Sequence, residues 1–256
     1  MTRDLNLALD VAAKACNVVK NGFEREFQTV RKADNSLVTE IDQASERLII
    51  EELQKKSSHA ILSEESGELP GTTGLTWIID PIDGTTNFSR RLSPFAVSIG
   101  LVEGDESVLG VIQNPMTNDC FYAEKDGGAF LNGRSIHVST NDSPHKSIVM
   151  FDFGTDPADR RRIVRAVEQL IYDFDIRTIG TTAWEICTVA KGTTDAFICL
   201  GDKLWDFAAG MCIVQQAGAD FGDWRGEAWD SSHSFVLAAQ PNIKPFIIEK
   251  IRDLQT

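Results

Sequence analysis

The sequence predicts a protein built of helix and sheet layers, an α+β first half joined to a layered α/β second half. Three observations predict this. Two helical apolar stripes open the chain. A run of short apolar strands separated by Gly and Asn turns follows, which reads as an antiparallel meander. After that, strands and helices alternate, the pattern of helices packed over a sheet.

Each element has its own signal. Leu5, Leu7, Ala8, Val11, Ala12, Ala15 and Cys16 recur at helical spacing and predict a helix over 4–23. Ile41, Ala44, Leu48, Ile49 and Leu53 predict a second over 40–56, with Thr39 as its N-cap. The polar loop 32–36 between them has little to bury and is a candidate lid. Strands are predicted over 60–63, 77–80, 95–102, 107–113 and 120–124, with turns at Glu103-Gly104-Asp105 and Asn132-Gly133. In the second half, strands at 147–153, 175–179 and 195–200 alternate with helices at 157–172, 182–189 and 205–216. Strands at 219–221 and 234–238 and a helix over 245–254 complete it. The polar stretch 139–146 is the best boundary, giving halves 1–140 and 141–256 of one compact unit.

Composition narrows the function. The chain has 256 residues, 42% hydrophobic and 25% charged, ordinary values for a soluble globular protein. No segment approaches a membrane span, and the N-terminus has no secretory h-region, so the cytoplasm is the expected location. A net charge of −13 disfavours direct nucleic-acid binding. Cys16, Cys120, Cys187, Cys199 and Cys212 are scattered and read as buried thiols. The four histidines show no zinc spacing and read as surface or loop residues.

The most informative stretch is Trp77-Ile78-Ile79-Asp80-Pro81-Ile82-Asp83-Gly84-Thr85-Thr86-Asn87-Phe88. An apolar strand ends in two aspartates around a proline, which predicts a stiff, tight turn with both carboxylates facing one cavity. Gly84 lets backbone approach a ligand closely, and free N–H groups at the helix start after it suit a phosphate. Two carboxylates beside a phosphate need cations, and carboxylate and carbonyl oxygens suit Mg²⁺. Asp206, at a predicted helix start, reads by itself first as an N-cap and second as a further ligand. Asp42 has the same ambiguity as a first-turn acid. Glu64 and Glu65, adjacent at a strand end, are expected to point to opposite sides. Lys32 either offsets negative charge near the phosphate or is a solvated loop lysine.

This dodecamer resembles the signature of the inositol monophosphatase family of magnesium-dependent, lithium-sensitive phosphatases. Three further blocks resemble that family in order: Lys32-Ala33-Asp34-Asn35-Ser36-Leu37-Val38-Thr39-Glu40-Ile41-Asp42, Ile61-Leu62-Ser63-Glu64-Glu65-Ser66 and Leu204-Trp205-Asp206-Phe207-Ala208-Ala209-Gly210. The resemblance implies five alternating αβαβα layers, with mixed and antiparallel sheets between helix layers. It implies two or three Mg²⁺ ions, with Mn²⁺ as a substitute, held by Glu64, Asp80, the Ile82 carbonyl, Asp83 and Asp206. It implies that Thr85 and Asp42 orient and deprotonate the attacking water, with Glu64 also in the catalytic set. Gly84, Thr85 and Lys32 would hold the phosphate. Asp83, Gly180, Thr181, Thr182, Asp206 and position 199 would border the alcohol. A homodimer is also implied.

One position departs from the pattern. Seven residues before Asp206, where inositol-binding relatives carry a glutamate, this chain has Cys199, a weak donor and weaker acceptor. Nearby Asp202 and Lys203 could read a different leaving group. The expected activity is hydrolysis of a small phosphorylated alcohol such as inositol 1-phosphate. Fructose 1,6-bisphosphate, histidinol phosphate and 3′-phosphoadenosine 5′-phosphate are the alternatives within the family. A regulatory partner of the transcription machinery is the alternative of another class.

Overall fold

The computed structural model describes residues 1–33 and 35–252. In chain order the first half contains α1 (Arg3–Phe23), β1 (Thr29–Arg31), β2 (Leu37–Thr39), α2 (Glu40–Lys56), β3 (Ala60–Ser63), β4 (Gly67–Leu69), β5 (Leu75–Asp83), α3 (Thr85–Ser89), β6 (Ala96–Glu103), β7 (Glu106–Gln113), β8 (Cys120–Glu124), β9 (Ala129–Leu131) and β10 (Arg134–Ser135). The second contains β11 (Ile148–Phe151), α4 (Pro157–Leu170), β12 (Asp175–Arg177), α5 (Thr182–Ala190), β13 (Ala196–Leu200), α6 (Leu204–Gln216), β14 (Asp220–Gly222), β15 (Phe235–Ala239) and α7 (Lys244–Ile251).

These elements stack in five layers. Helices α1 and α2 cover one face of an eight-stranded sheet of order β10-β9-β8-β7-β6-β5-β3-β4. Helices α5 and α6 cover its other face and separate it from a five-stranded sheet of order β12-β11-β13-β15-β14. Helices α4 and α7 close the far side, where Ile163, Ala166, Ile247 and Ile251 share a core with the strands. The first sheet is antiparallel except for the β3–β5 pair. The second is mixed, with β11 parallel to β12 and β13 while β15 runs antiparallel to β13 and β14. Among the described residues no helix is long and apolar enough to cross a membrane.

The middle layer decides where the site lies. Gly100 and Gly110 face each other across β6 and β7, and α6 lies directly on them. A Cβ built on Gly110 would stand 2.1 Å from the carbonyl oxygen of Ala209, so only glycine permits this approach. Ser107 Oγ donates to the Ala208 carbonyl at 2.7 Å and pins the same helix. The N-terminus of α6, a second-half element, is thereby held against the end of β5.

Several sequence expectations shift. A short hairpin, β1 with β2, flanks the loop predicted as a lid, and Asp34 of that loop lies outside the described residues. The 77–80 strand does not stop at a tight turn but runs on to Asp83, with a register shift between Asp80 and Asp83. Pro81 cannot donate to the ladder, and the irregularity falls where that donor is missing. The last helix ends at Ile251, and the predicted extension to Leu254 lies outside the described residues. Cys16, Cys187, Cys199 and Cys212 are buried free thiols, and Cys120 is partly buried.

Candidate active site

The β5 bulge does the first piece of positioning. Residues three apart on a regular strand point to opposite faces. Here Asp80 pairs with Ser98 and Asp83 with Ala96, so three steps on β5 match two on β6. Ser98 and Ala96 share a face, and the extra residue therefore turns Asp80 and Asp83 to the same side. Asp80 Oδ1 accepts from the Ile82 N–H at 3.0 Å. Asp83 Oδ2 accepts from the Thr181 hydroxyl and, at 3.1 Å, from the Ala183 N–H at the start of α5.

Asp42 caps α2 with one oxygen and meets Thr85 with the other. Its Oδ2 accepts from the Thr39 N–H at 2.8 Å and from the Thr39 hydroxyl, while Thr39 Oγ1 accepts from the Asp42 N–H at 3.3 Å, which completes a capping box on α2. Its Oδ1 accepts from Thr85 Oγ1 at 3.0 Å. The Thr85 hydroxyl also lies 2.9 Å from the Ile82 carbonyl oxygen. Burial pushes the Asp42 carboxyl up, against the pull of its Thr39 and Thr85 hydrogen bonds. Asp206 is not the N-cap of α6, which is Lys203, but stands at the third helical position and reaches back to it. Its Oδ2 accepts from the Lys203 N–H at 2.6 Å, and its charge acts on Asp80.

Gly84 is the N-cap of α3 at φ 85°, the left-handed region that glycine enters without cost. A side chain there would be strained, and its Cβ would stand 3.1 Å from Thr181 Cβ. Gly180, Thr181 and Thr182 form the facing turn at the start of α5. Thr182 Oγ1 donates to Asp202 Oδ2 at 2.6 Å.

The electrostatics are those of a buried acidic centre. Burial raises the carboxyl of Asp80 far above the usual range, and Glu64, Asp83 and Asp206 push it further. Burial also raises Asp83 and Asp206. It raises Glu64 against the opposing pull of Lys32. Carboxylates gathered this way, with the Ile82 carbonyl beside them, are the donor chemistry of a hard divalent cation. Among the described residues, however, no three His, Cys, Asp or Glu groups form a cluster able to hold a metal ion in this conformation. Each carboxylate has an oxygen drawn to its own protein donor: Glu64 to Lys32, Asp80 to Ile82, Asp83 to Thr181, Asp206 to Lys203. The residues fit such ions by type and charge, and these contacts would have to open for the ions to bind.

Two predicted site residues are placed differently from expectation. Lys32 is neither a solvated lysine nor free for phosphate, since its Nζ bridges Glu64 at 2.8 Å and Glu65 at 2.5 Å. Burial opposes its charge, but these two bonds outweigh burial and raise its pKa. Glu64 and Glu65 do not diverge because β3 ends at Ser63 and strand alternation stops there. Cys199 is fully buried in the core between the sheets, with its thiol hydrogen-bonded to Asp202.

Glu185 was missed by the sequence reading. It is fully buried on α5, and its Oε1 accepts the N–H groups of Ile179 and, at 3.1 Å, Gly180. It thus holds the turn whose next residue, Thr181, holds Asp83. An acid within the apolar helix Thr182-Ala183-Trp184-Glu185-Ile186-Cys187 was the available signal. Glu185→Leu strands both N–H groups and is expected to cost about 2–4 kcal/mol in urea denaturation. Glu185→Gln, whose amide oxygen can accept the same bonds, is expected to keep most of that stability. An equal loss in both variants would assign the effect to charge instead.

Comparison with known proteins shows the family and the fold of the chain. Residues 1–256 match the inositol monophosphatase family. The chain is 37% identical to the Nus factor SuhB of Pasteurella multocida, covering 97% of this chain and 95% of that protein. It is 34% identical to inositol monophosphatase 1 of Solanum lycopersicum, over 97% and 94% of the two chains. Among solved structures, the extragenic suppressor protein SuhB of Bartonella henselae superposes with a TM-score of 0.94 at 29% identity, over 98% of this chain and 99% of that one. An inositol monophosphatase of Thermotoga maritima superposes with a TM-score of 0.90 at 28% identity, over 99% and 98%.

Proposed function

Because the chain belongs to the inositol monophosphatase family, we propose that the acidic centre at the end of β5 is the active site of a Mg²⁺-dependent phosphomonoesterase acting on a small phosphorylated alcohol. One observation carries the assignment. Thr85 and Asp42, brought together from separate elements, are hydrogen-bonded at 3.0 Å beside the buried carboxylates Asp80 and Asp83.

Glu64, Asp80, the Ile82 carbonyl, Asp83 and Asp206 would hold two or three Mg²⁺ ions, with Mn²⁺ as a substitute. When bound, such ions supply positive charge to a phosphoryl group and acidity to a water. The remaining steps belong to the chain. Thr85 Oγ1 donates its own proton to Asp42 Oδ1, which leaves its lone pairs to accept from the attacking water and relay a proton to Asp42. Gly84 gives the phosphate room and backbone donors at the start of α3. Lys32 balances charge at the Glu64 rim. Gly180, Thr181 and Thr182 border the leaving alcohol. The halves 1–140 and 141–256 act as one unit, because the ligand set takes Asp206 from the second. Lithium sensitivity, a homodimer and a cytoplasmic location are the family's attributes and form part of the same proposal.

The test is phosphate release from inositol 1-phosphate with Mg²⁺, with Mn²⁺ and with a chelator, alongside thermal melting. Release that stops with the chelator and returns with Mg²⁺ supports the reading. At Mg²⁺ near 100 times its dissociation constant, stabilisation of about 2.7 kcal/mol is expected, a rise of several degrees in Tm. Full release in the chelator refutes the metal assignment. A second reading, a regulatory role in transcription, rests on the name of the Pasteurella relative. Retention of RNA polymerase by the chain without any turnover would favour it.

A further inference from the structure

Beside Asp206 lies a polar cavity of ≈ 680 Å³. The loop from Leu200 to Lys203 forms one wall, the segment from Thr155 to Pro157 another, and Ser231 to Ser234 a third. Asn35, three residues after the Lys32 that bonds Glu64, also lines the cavity, and the charge of Asp202 acts on Asp206, so the cavity adjoins the site.

Its charged groups are not equally available. Asp156 caps α4, accepting the N–H groups of Ala158 at 2.7 Å and Asp159 at 3.2 Å. Asp159 pairs with Arg162 at 3.7 Å. His233 lies between Asp223 at 3.6 Å and Asp230 at 3.2 Å. Asp202 differs. Among the described residues it has no ion pair, and Thr182 Oγ1 fixes its Oδ2 at 2.6 Å. The buried Cys199 thiol also donates to it. Its position is therefore set from behind by two neutral donors; burial and the neighbouring Asp152 push its carboxyl up to about 7, and it keeps an acceptor oxygen on the cavity wall. Thr182 directly follows Thr181, which holds Asp83, so this carboxylate is tied to the reacting end through one turn.

Resting on the phosphatase reading above, we propose that Asp202 is the specificity-determining residue of the leaving-group side. The structure then selects an alcohol monophosphate whose leaving group offers hydrogen-bond donors, hydroxyl or ammonium, and carries no second phosphate. In its ionised form this carboxyl accepts and does not donate, so it rewards donors and repels anions, and the assays are run above pH 7. The cavity as a whole points the same way, with Asp156, Asp159 and Asp202 set against Lys203 and His233.

The experiment compares the full chain with Asp202→Ala and Asp202→Asn in saturating Mg²⁺. The substrates are inositol 1-phosphate, histidinol phosphate, fructose 1,6-bisphosphate and p-nitrophenyl phosphate, the last lacking donors on its leaving group. The readout is the ratio of kcat/KM for each ester to that for p-nitrophenyl phosphate, which cancels losses of folded enzyme. For the preferred donor-bearing ester, Asp202→Ala is expected to lower the ratio about 10- to 100-fold. Asp202→Asn, close to isosteric, separates the two sources. A hydroxyl ester keeps most of its ratio because a hydroxyl can also accept from the amide NH₂ that then faces the cavity, and an ammonium ester, which only donates, loses as much as in the alanine variant. The bisphosphate ratio is expected to rise in both variants. Unchanged donor-ester ratios, or a bisphosphate preferred by the unmodified chain, overturn the proposal while leaving the phosphatase reading intact. No release from any ester by the unmodified chain overturns both.

Discussion

Asp83→Asn is expected to abolish Mg²⁺-dependent phosphate release, lowering kcat/KM by about 10³-fold or more, equivalent to about 4 kcal/mol of lost transition-state stabilisation. The geometry explains why folding should survive. The Thr181 hydroxyl and the Ala183 N–H both donate to a single oxygen, Oδ2. An asparagine oxygen can accept both, which leaves its NH₂ where a cation would need an acceptor. Burial already disfavours the charged form of Asp83. The neutral variant should therefore melt at or above the temperature of the unmodified chain in metal-free buffer, and should lose the Mg²⁺-dependent rise. Phosphate release and melting, each with and without Mg²⁺, check this. Undiminished release would remove Asp83 from the ligand set.

Thr85→Ala is the second large effect. Loss of the hydroxyl that links the attacking water to Asp42 is expected to lower kcat by about 10²- to 10⁴-fold. KM should change little, because the contribution arises in the transition state. Asp42 retains its bonds to Thr39, so α2 stays capped and stability should change little. Thr85→Ser restores the hydroxyl and is expected to recover much of the rate. Steady-state kinetics at saturating Mg²⁺ separate the outcomes. A rise in KM with kcat unchanged would make Thr85 a phosphate-binding group only.

Much of this site was legible because local rules and the chemistry coincide there. An apolar strand must carry Asp80 to the end of a sheet, and a helix start must cap itself, so Asp42 and Asp206 stand out in sequence before any contact is known. Glu185 escaped because its meaning is nonlocal, resting on N–H groups five and six residues back across a turn. Lys32 was legible as a basic residue near acids, but its bridge to both Glu64 and Glu65 depends on where the β1–β2 hairpin folds relative to β3. The turn expected at Pro81 is a strand with a bulge, because pairing with β6 resumes at Asp83 and outweighs the local preference.

The sequence by itself determined the helix–sheet layering, the acid-rich β5 terminus and the family, since periodicity, capping and motif order are properties of neighbouring residues. Only the tertiary structure decided which groups act together. The bulge turns two aspartates to one face, the glycine contact at Gly110 seats α6 so that Asp206 joins them, and burial takes Cys199 out of reach while leaving Asp202 on the cavity wall. The physical reason is that carboxylate charge, desolvation and close backbone approach depend on distance in space, which no run of adjacent residues specifies.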